Sequence, residues 1–172
     1  MGSEMCIRDR WGRGRIERPP RDAMMFLPSR AYVPPGTLRA ALAYPHPAGN
    51  VADAAIATAL SSVGLEHLQP LLDTTDRWDR RLNEDEKQSL AFARVLLQRP
   101  KWLVVNGAFE QLDPASRARI EALFAGPLAG LGLIHIGQES IQASFFTRKL
   151  RLITDPNGPT FNPADHCAIS AV

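Results

Sequence analysis

Asn83-Glu84-Asp85-Glu86-Lys87-Gln88 sets three carboxylates, a lysine and two amides at the head of Leu90–Leu97, an apolar run with helical spacing. Carboxylates there suit the positive end of a helix dipole. Asn83 followed three residues later by Glu86 has the pattern of a capping box. The acids also raise the question of calcium, with Asp73, Asp76 and Asp79 close by. The fixed ligand spacing and central glycine of an EF-hand are missing, so a solvated face is the better reading. A second constellation follows the apolar burst Trp102-Leu103-Val104-Val105: Asn106-Gly107, then Asp113-Pro114. Asp113 reads as an N-cap carboxylate ahead of a proline at the first helical position. His135 lies between Ile134 and Ile136, so strand alternation turns its ring to the opposite face, where a packed or edge histidine is expected. No G-x-S-x-G elbow is present for a serine hydrolase. Cys6 and Cys167 lack C-x-x-C spacing, which excludes a zinc site and a disulfide framework and fits a reducing compartment.

The elements that must position these residues alternate in the second half of the chain. A helix over about 84–98 precedes a strand at 102–105, a helix at 115–125, a strand at 131–136, a helix at 139–147 and a strand at 149–153. Strands separated by helices imply crossovers and a parallel sheet. Upstream, Met24-Met25-Phe26-Leu27 closed by Pro28 reads as a buried strand. Pro34-Pro35-Gly36 forces a turn, and Thr37 is an N-cap for a helix through Leu42. Asn50–Val63 carries a helical apolar stripe ended by Gly64. Leu65–Leu72 reads as a short helix, and Thr74–Arg81 as a charged loop holding Trp78.

At 172 residues, with 45% apolar and 22% charged residues, the chain has the composition of an ordinary globular domain. Its net charge of +2 comes from residues 1–22, with six Arg against four Asp and Glu. No basic face runs through the rest, so no nucleic acid is expected as a partner. The N-terminus has no signal-peptide core, and the longest mainly apolar stretch, Leu128–Ile136, is far short of the ~20 residues of a membrane helix. Residues 1–22 are expected to be poorly ordered, 23–154 to form the domain and 155–172 to be a surface tail.

Three segments in register carry a family resemblance. They are Phe26-Leu27-Pro28-x-Arg30-x-Tyr32-x-Pro34-x-Gly36-Thr37-Leu38-Arg39, Glu86-x-Gln88-x-Leu90-Ala91-Phe92-Ala93-Arg94, and Leu112-Asp113. Their order and spacing resemble the Q-loop, signature helix and D-loop of the ATP-binding domain of ABC transporters. The likeness is greatest to the bacterial group whose cassette is fused to a permease of the antimicrobial-peptide, vitamin B12 or long-chain acyl type. It runs from about Trp11 to Ile153. Residues 1–10 match nothing in the pattern and are set aside as a cloning, assembly or start-site remnant.

The resemblance implies an α/β fold, a partial P-loop NTPase cassette with a parallel sheet flanked by helices and a helical subdomain at about 36–98. It implies ATP and Mg²⁺ as family cofactors. The expected partners are a permease transmembrane domain and a second nucleotide-binding domain, at the cytoplasmic side of the inner membrane. This chain departs from the pattern at most steps of the chemistry, and the family's P-loop, which lies upstream of the segment corresponding to Trp11, is expected to be missing by truncation as much as by loss. There is no G-x-x-x-x-G-K-[ST], and no Gly-Lys pair at all. With the P-loop and first strands missing, the sheet is expected to lack part of its layering and to be sticky or partner-dependent.

Asn83, Glu84, Asp85, Glu86, Lys87 and Gln88 stand in a signature segment that normally offers Ser and Gly to a γ-phosphate. A triphosphate about 4 Å from one of these carboxylates would be opposed by roughly 4 kcal/mol at an effective dielectric of about 20. Asn106 and Gly107 stand where Asp-Glu of the Walker B strand would hold Mg²⁺ and orient the attacking water. Ser29 replaces the Q-loop glutamine, and Gln138 the H-loop histidine. Asp113 retains the D-loop aspartate, though its N-cap duty explains it. Base stacking by Tyr32 or Trp78, and rescue by His135, are weaker readings than packing. The expected function is that of a degenerate nucleotide-binding domain acting structurally. The alternative is a non-catalytic scaffold built on the same fold. Nucleic-acid binding through Arg-rich residues 8–21 is a third and weaker option.

Overall fold

The computed structural model describes residues 18–47, 49, 51–137 and 146–148. Its centre is a three-stranded parallel sheet in the order β1 (Met24–Leu27), β4 (Trp102–Asn106), β5 (Gly132–Ile136). Parallel neighbours need long crossovers. Between β4 and β5 the crossover is helix α5 (Pro114–Ala125). Between β1 and β4 it is a helical region: α1 (Leu38–Ala43), α2 (Asp53–Ser62), a 3-10 segment at Glu66–Leu71, α3 (Trp78–Arg81) and α4 (Glu84–Gln98). A two-residue antiparallel pair, β2 (Gly36–Thr37) with β3 (Thr75–Asp76), closes that region on itself.

Register divides the sheet into two unlike faces. Leu27, Val105 and His135 stand side by side across the three strands, as do Met25, Leu103 and Leu133. This face meets the helices, and Leu27, Leu103 and Val105 are buried. Phe26, Val104 and Ile134 form the corresponding row on the other face, where Phe26 is 50% and Ile134 40% exposed. Gly132 is required on that face because a side chain there would collide with the Trp102 ring, 2.4 Å from the position of its Cβ.

The core centres on α4, whose Leu90, Ala91, Phe92, Ala93 and Val95 are all buried. Phe92, Phe109 and Phe124 pack at centroid separations of 5.3–6.5 Å, tying α4 to α5 and to the turn after β4. Such rings dominate core energetics, and removing one typically costs about 3–5 kcal/mol.

Several elements depart in detail from the sequence expectation. In place of the expected helix Leu65–Leu72 there is a 3-10 segment at Glu66–Leu71, where Pro70 removes a donor that an α-helix would need. Thr74–Arg81 is an ordered strand and helix turn rather than a loop. Trp78 anchors it, fully buried with its indole N–H donating to the Gly36 carbonyl at 3.0 Å. Base stacking by Trp78 is thereby ruled out. The expected helix at 139–147 and strand at 149–153 lie outside the described residues, apart from 146–148, which have no regular structure.

Candidate functional site

In an open parallel sheet, ligands bind in the crevice outside the carboxyl ends of the strands. Ser29, Asn106-Gly107 and Gly137 lie just there, after β1, β4 and β5 respectively. The backbone turns sharply at Gly107, with φ of +66° and its N–H donating to the Ile136 carbonyl at 2.9 Å. A Cβ at Gly107 would lie 3.1 Å from the Ser29 Cβ, so the structure does bring Ser29 and Gly107 together. The Asn106 side chain is exposed. Gln138 falls outside the described residues.

A residue that sequence reasoning passed over occupies this crevice. Glu110 sits in the 3-10 turn Phe109–Gln111, and its Oε2 is 2.9 Å from where a Cβ on Gly107 would be. Its Oε1 is 2.5 Å from the corresponding point at Gly137. The only sequence signal was its place three residues beyond Gly107, a spacing that brings side chains together when the chain turns helically. His135 is its neighbour, with Nε2 2.9 Å from that same point at Gly137. Strand alternation holds as expected: the ring faces the helices, edge-on to Phe109 at 5.5 Å and tilted against Phe146 at 5.9 Å. Burial lowers the His135 pKa below its ordinary value, outweighing the attraction of Glu110, while Arg117 also disfavours the cation. Its Nε2 is buried without a hydrogen-bond partner.

The start of α4 is built from its own side chains. The Asn83 carboxamide accepts the Glu86 N–H at 2.8 Å, and the Glu86 carboxylate accepts the Asn83 N–H at 3.0 Å, completing the expected capping box. The Lys87 ammonium pairs with Glu84 at 2.8 Å, which holds the Glu84 carboxyl below its usual range. Glu86 also lies 3.3 Å from the His67 imidazole.

Asp85 behaves differently from its neighbours. Its Oδ1 accepts the Asp113 N–H at 2.8 Å and its Oδ2 the Ser116 hydroxyl at 2.9 Å, a bridge from α4 to the start of α5. Its carboxylate is therefore engaged with α5 and not turned loose toward an incoming ligand. Asp113 itself accepts the Ser116 N–H at 2.8 Å, and that bond lowers its pKa, in keeping with the N-cap role.

Gln88 ties this helix to the sheet edge. It is buried and donates to the Pro28 and Ser29 carbonyls at 3.1 and 2.6 Å, leaving its own Oε1 unsatisfied. One turn and a half further on, Arg94 is buried and donates to the Ala41 and Tyr32 carbonyls at 2.8 Å each. Desolvation pushes its pKa down to about 10. Tyr32 is exposed and packs edge-on with Tyr44.

The resemblance would place the Mg²⁺-holding carboxylate at Asn106 and the water-orienting side chain at Gly107, and the structure sets the Glu110 carboxylate beside Gly107. Among the described residues no group of three His, Cys, Asp or Glu is placed to hold a metal ion. A separate concavity of about 500 Å³ lies in the helical region beside Arg39, Asp53 and Asp73. There the guanidinium is already held by both carboxylates.

The sheet order and its flanking helices define an ABC-type nucleotide-binding fold. The solved structure of a bacterial Atm1-family ABC exporter with ATP bound matches 69% of this chain with a TM-score of 0.60, at 22% identity and over 21% of that chain. The chain is a homologue of ABC transporter ATP-binding proteins. An uncharacterized one from Haemophilus influenzae is 31% identical over 142 residues, 83% of this chain and 24% of that protein. Another from Synechocystis is 34% identical over 112 residues, 63% of this chain and 17% of its own length. The chain thus spans about a quarter or less of these relatives. No family model matches it.

Proposed function

We propose that this chain is a degenerate nucleotide-binding domain of an ABC-type transporter, with no ATP hydrolysis of its own and weak or no ATP binding. Its role is structural, as the cytoplasmic cassette that docks on a permease and pairs with a second cassette at the inner membrane. The observation that carries this reading is the state of the sheet edge. Ser29 and Gly107 adjoin there, neither they nor Asn106 at the end of β4 supplies a metal-holding or water-orienting carboxylate, and the nearby Glu110 carboxylate opposes a triphosphate. The capping box at Asn83 supports it, because the head of α4 spends its Asn83 and Glu86 N–H groups on its own side chains. The homologues' names supply the transporter setting. No helix among the described residues is long and apolar enough to cross a membrane, which suits a cassette resting on a separate spanning unit.

The test is a steady-state ATPase assay on the purified chain with Mg²⁺. The expected outcome is phosphate release indistinguishable from a blank without protein. Turnover clearly above that blank, abolished by heat denaturation, would overturn the reading.

A further inference from the structure

Gly107 and Gly137 follow neighbouring strands, and the Glu110 carboxylate lies against both. A side chain at Gly107 or at Gly137 would run into Glu110, whose two carboxylate oxygens lie 2.9 and 2.5 Å from the respective Cβ positions. The backbone carrying Glu110 is anchored, so the carboxylate can leave only by rotation of its own side chain. It belongs to a 3-10 turn whose first residue, Phe109, is fully buried among Phe92, Phe124 and His135. No hydrogen bond or ion pair among the described residues neutralises the carboxylate, and His135 beside it is held toward its neutral form. An uncompensated negative charge therefore stands in the crevice where an α/β sheet would otherwise receive a ligand.

We infer that the Glu110 carboxylate, standing in the strand-edge crevice, excludes phosphate-bearing anions from it. The inference deepens the reading of a degenerate cassette and rests on it. Ser29, Asn106 and Gly107 remove attraction for a phosphate, whereas the Glu110 carboxylate supplies active repulsion. The consequence differs from simple loss. Neutralising one side chain should restore affinity for a phosphate group, because Ser29 remains beside Gly107 as an uncharged hydrogen-bonding partner.

Inorganic pyrophosphate titrated into the full 172-residue chain by calorimetry tests this. The chains compared are wild type, the isosteric variant Glu110→Gln and the truncation Glu110→Ala, with circular dichroism confirming that each is folded. The side chain is exposed and makes no ion pair, so both variants are expected to fold. Removing one like charge at contact distance should tighten pyrophosphate binding by about tenfold or more in both variants. Equal affinity in wild type and variants, including no detectable binding in any of them, would overturn the inference. ATP turnover by the wild-type chain, with the variants still binding pyrophosphate more tightly, would instead sink the degenerate-cassette reading and leave the role of Glu110 standing.

Discussion

At the scale of single residues, His135 sets the most direct test. It sits where an aromatic would be satisfied, between Phe109 and Phe146, yet carries a buried Nε2 with no partner. An unsatisfied buried polar atom costs about 1–3 kcal/mol. His135→Phe should therefore leave stability unchanged or raise it by about 1 kcal/mol. The pH dependence gives a second readout. Because the folded-state pKa is depressed, the neutral ring is favoured in the fold. Its stabilising contribution is present above the unfolded pKa of about 6.5 and is lost as pH falls through the lower folded value. Urea titrations at pH 7.5 and at pH 5 should show a loss for wild type that His135→Phe lacks. If both chains lose the same amount, His135 is not the responsible group.

Between elements, the Asp85 bridge joins α4 to α5 across 28 residues of sequence. One carboxylate accepts both the Asp113 N–H and the Ser116 hydroxyl, so it stabilises the start of α5 from outside while Asp113 caps it from within. Asp85→Ala should destabilise the fold by about 1–3 kcal/mol. Ser116→Ala should cost less, and the double variant less than the sum, with a coupling of about 0.5–1.5 kcal/mol in a double-mutant cycle. Strict additivity would mean that the hydroxyl contact contributes nothing. This pair also marks the boundary of what one sequence can reveal. The capping box at Asn83 and Glu86, the Asp113-Pro114 start and the alternation around His135 are local patterns written within four residues, and each stands in the structure as read. The Asp85–Ser116 bond, the Gln88 contacts with the Pro28 and Ser29 carbonyls and the burial of Trp78 depend on tertiary placement. No local periodicity encodes them. Glu110 was missed for a related reason. Its importance comes from two glycines in different loops, and what a glycine makes room for is invisible until the loops are brought together.

For the whole molecule, the unequal faces of the sheet decide how it behaves in solution. Phe26, Val104 and Ile134 form one row across three strands on the face away from the helices, and Ile136 extends that surface at 52% exposure. Apolar side chains gathered on one sheet face present a continuous surface that water solvates poorly, at about 25 cal/mol per Å². The chain alone should therefore associate as its concentration rises. Phe26→Thr combined with Ile134→Thr should weaken that association without melting the strands, since threonine has a β-branched shape that strands favour. The buried row of Leu27, Val105 and His135 on the opposite face is untouched by the change. Sedimentation velocity over a hundredfold range of concentration reads the outcome. Wild type should show a sedimentation coefficient that climbs with concentration, and the double variant a flatter dependence at equal circular dichroism. An identical climb in the two would place the association on another surface. No climb in wild type would mean that this face is protected in the intact chain, despite the exposure of its side chains.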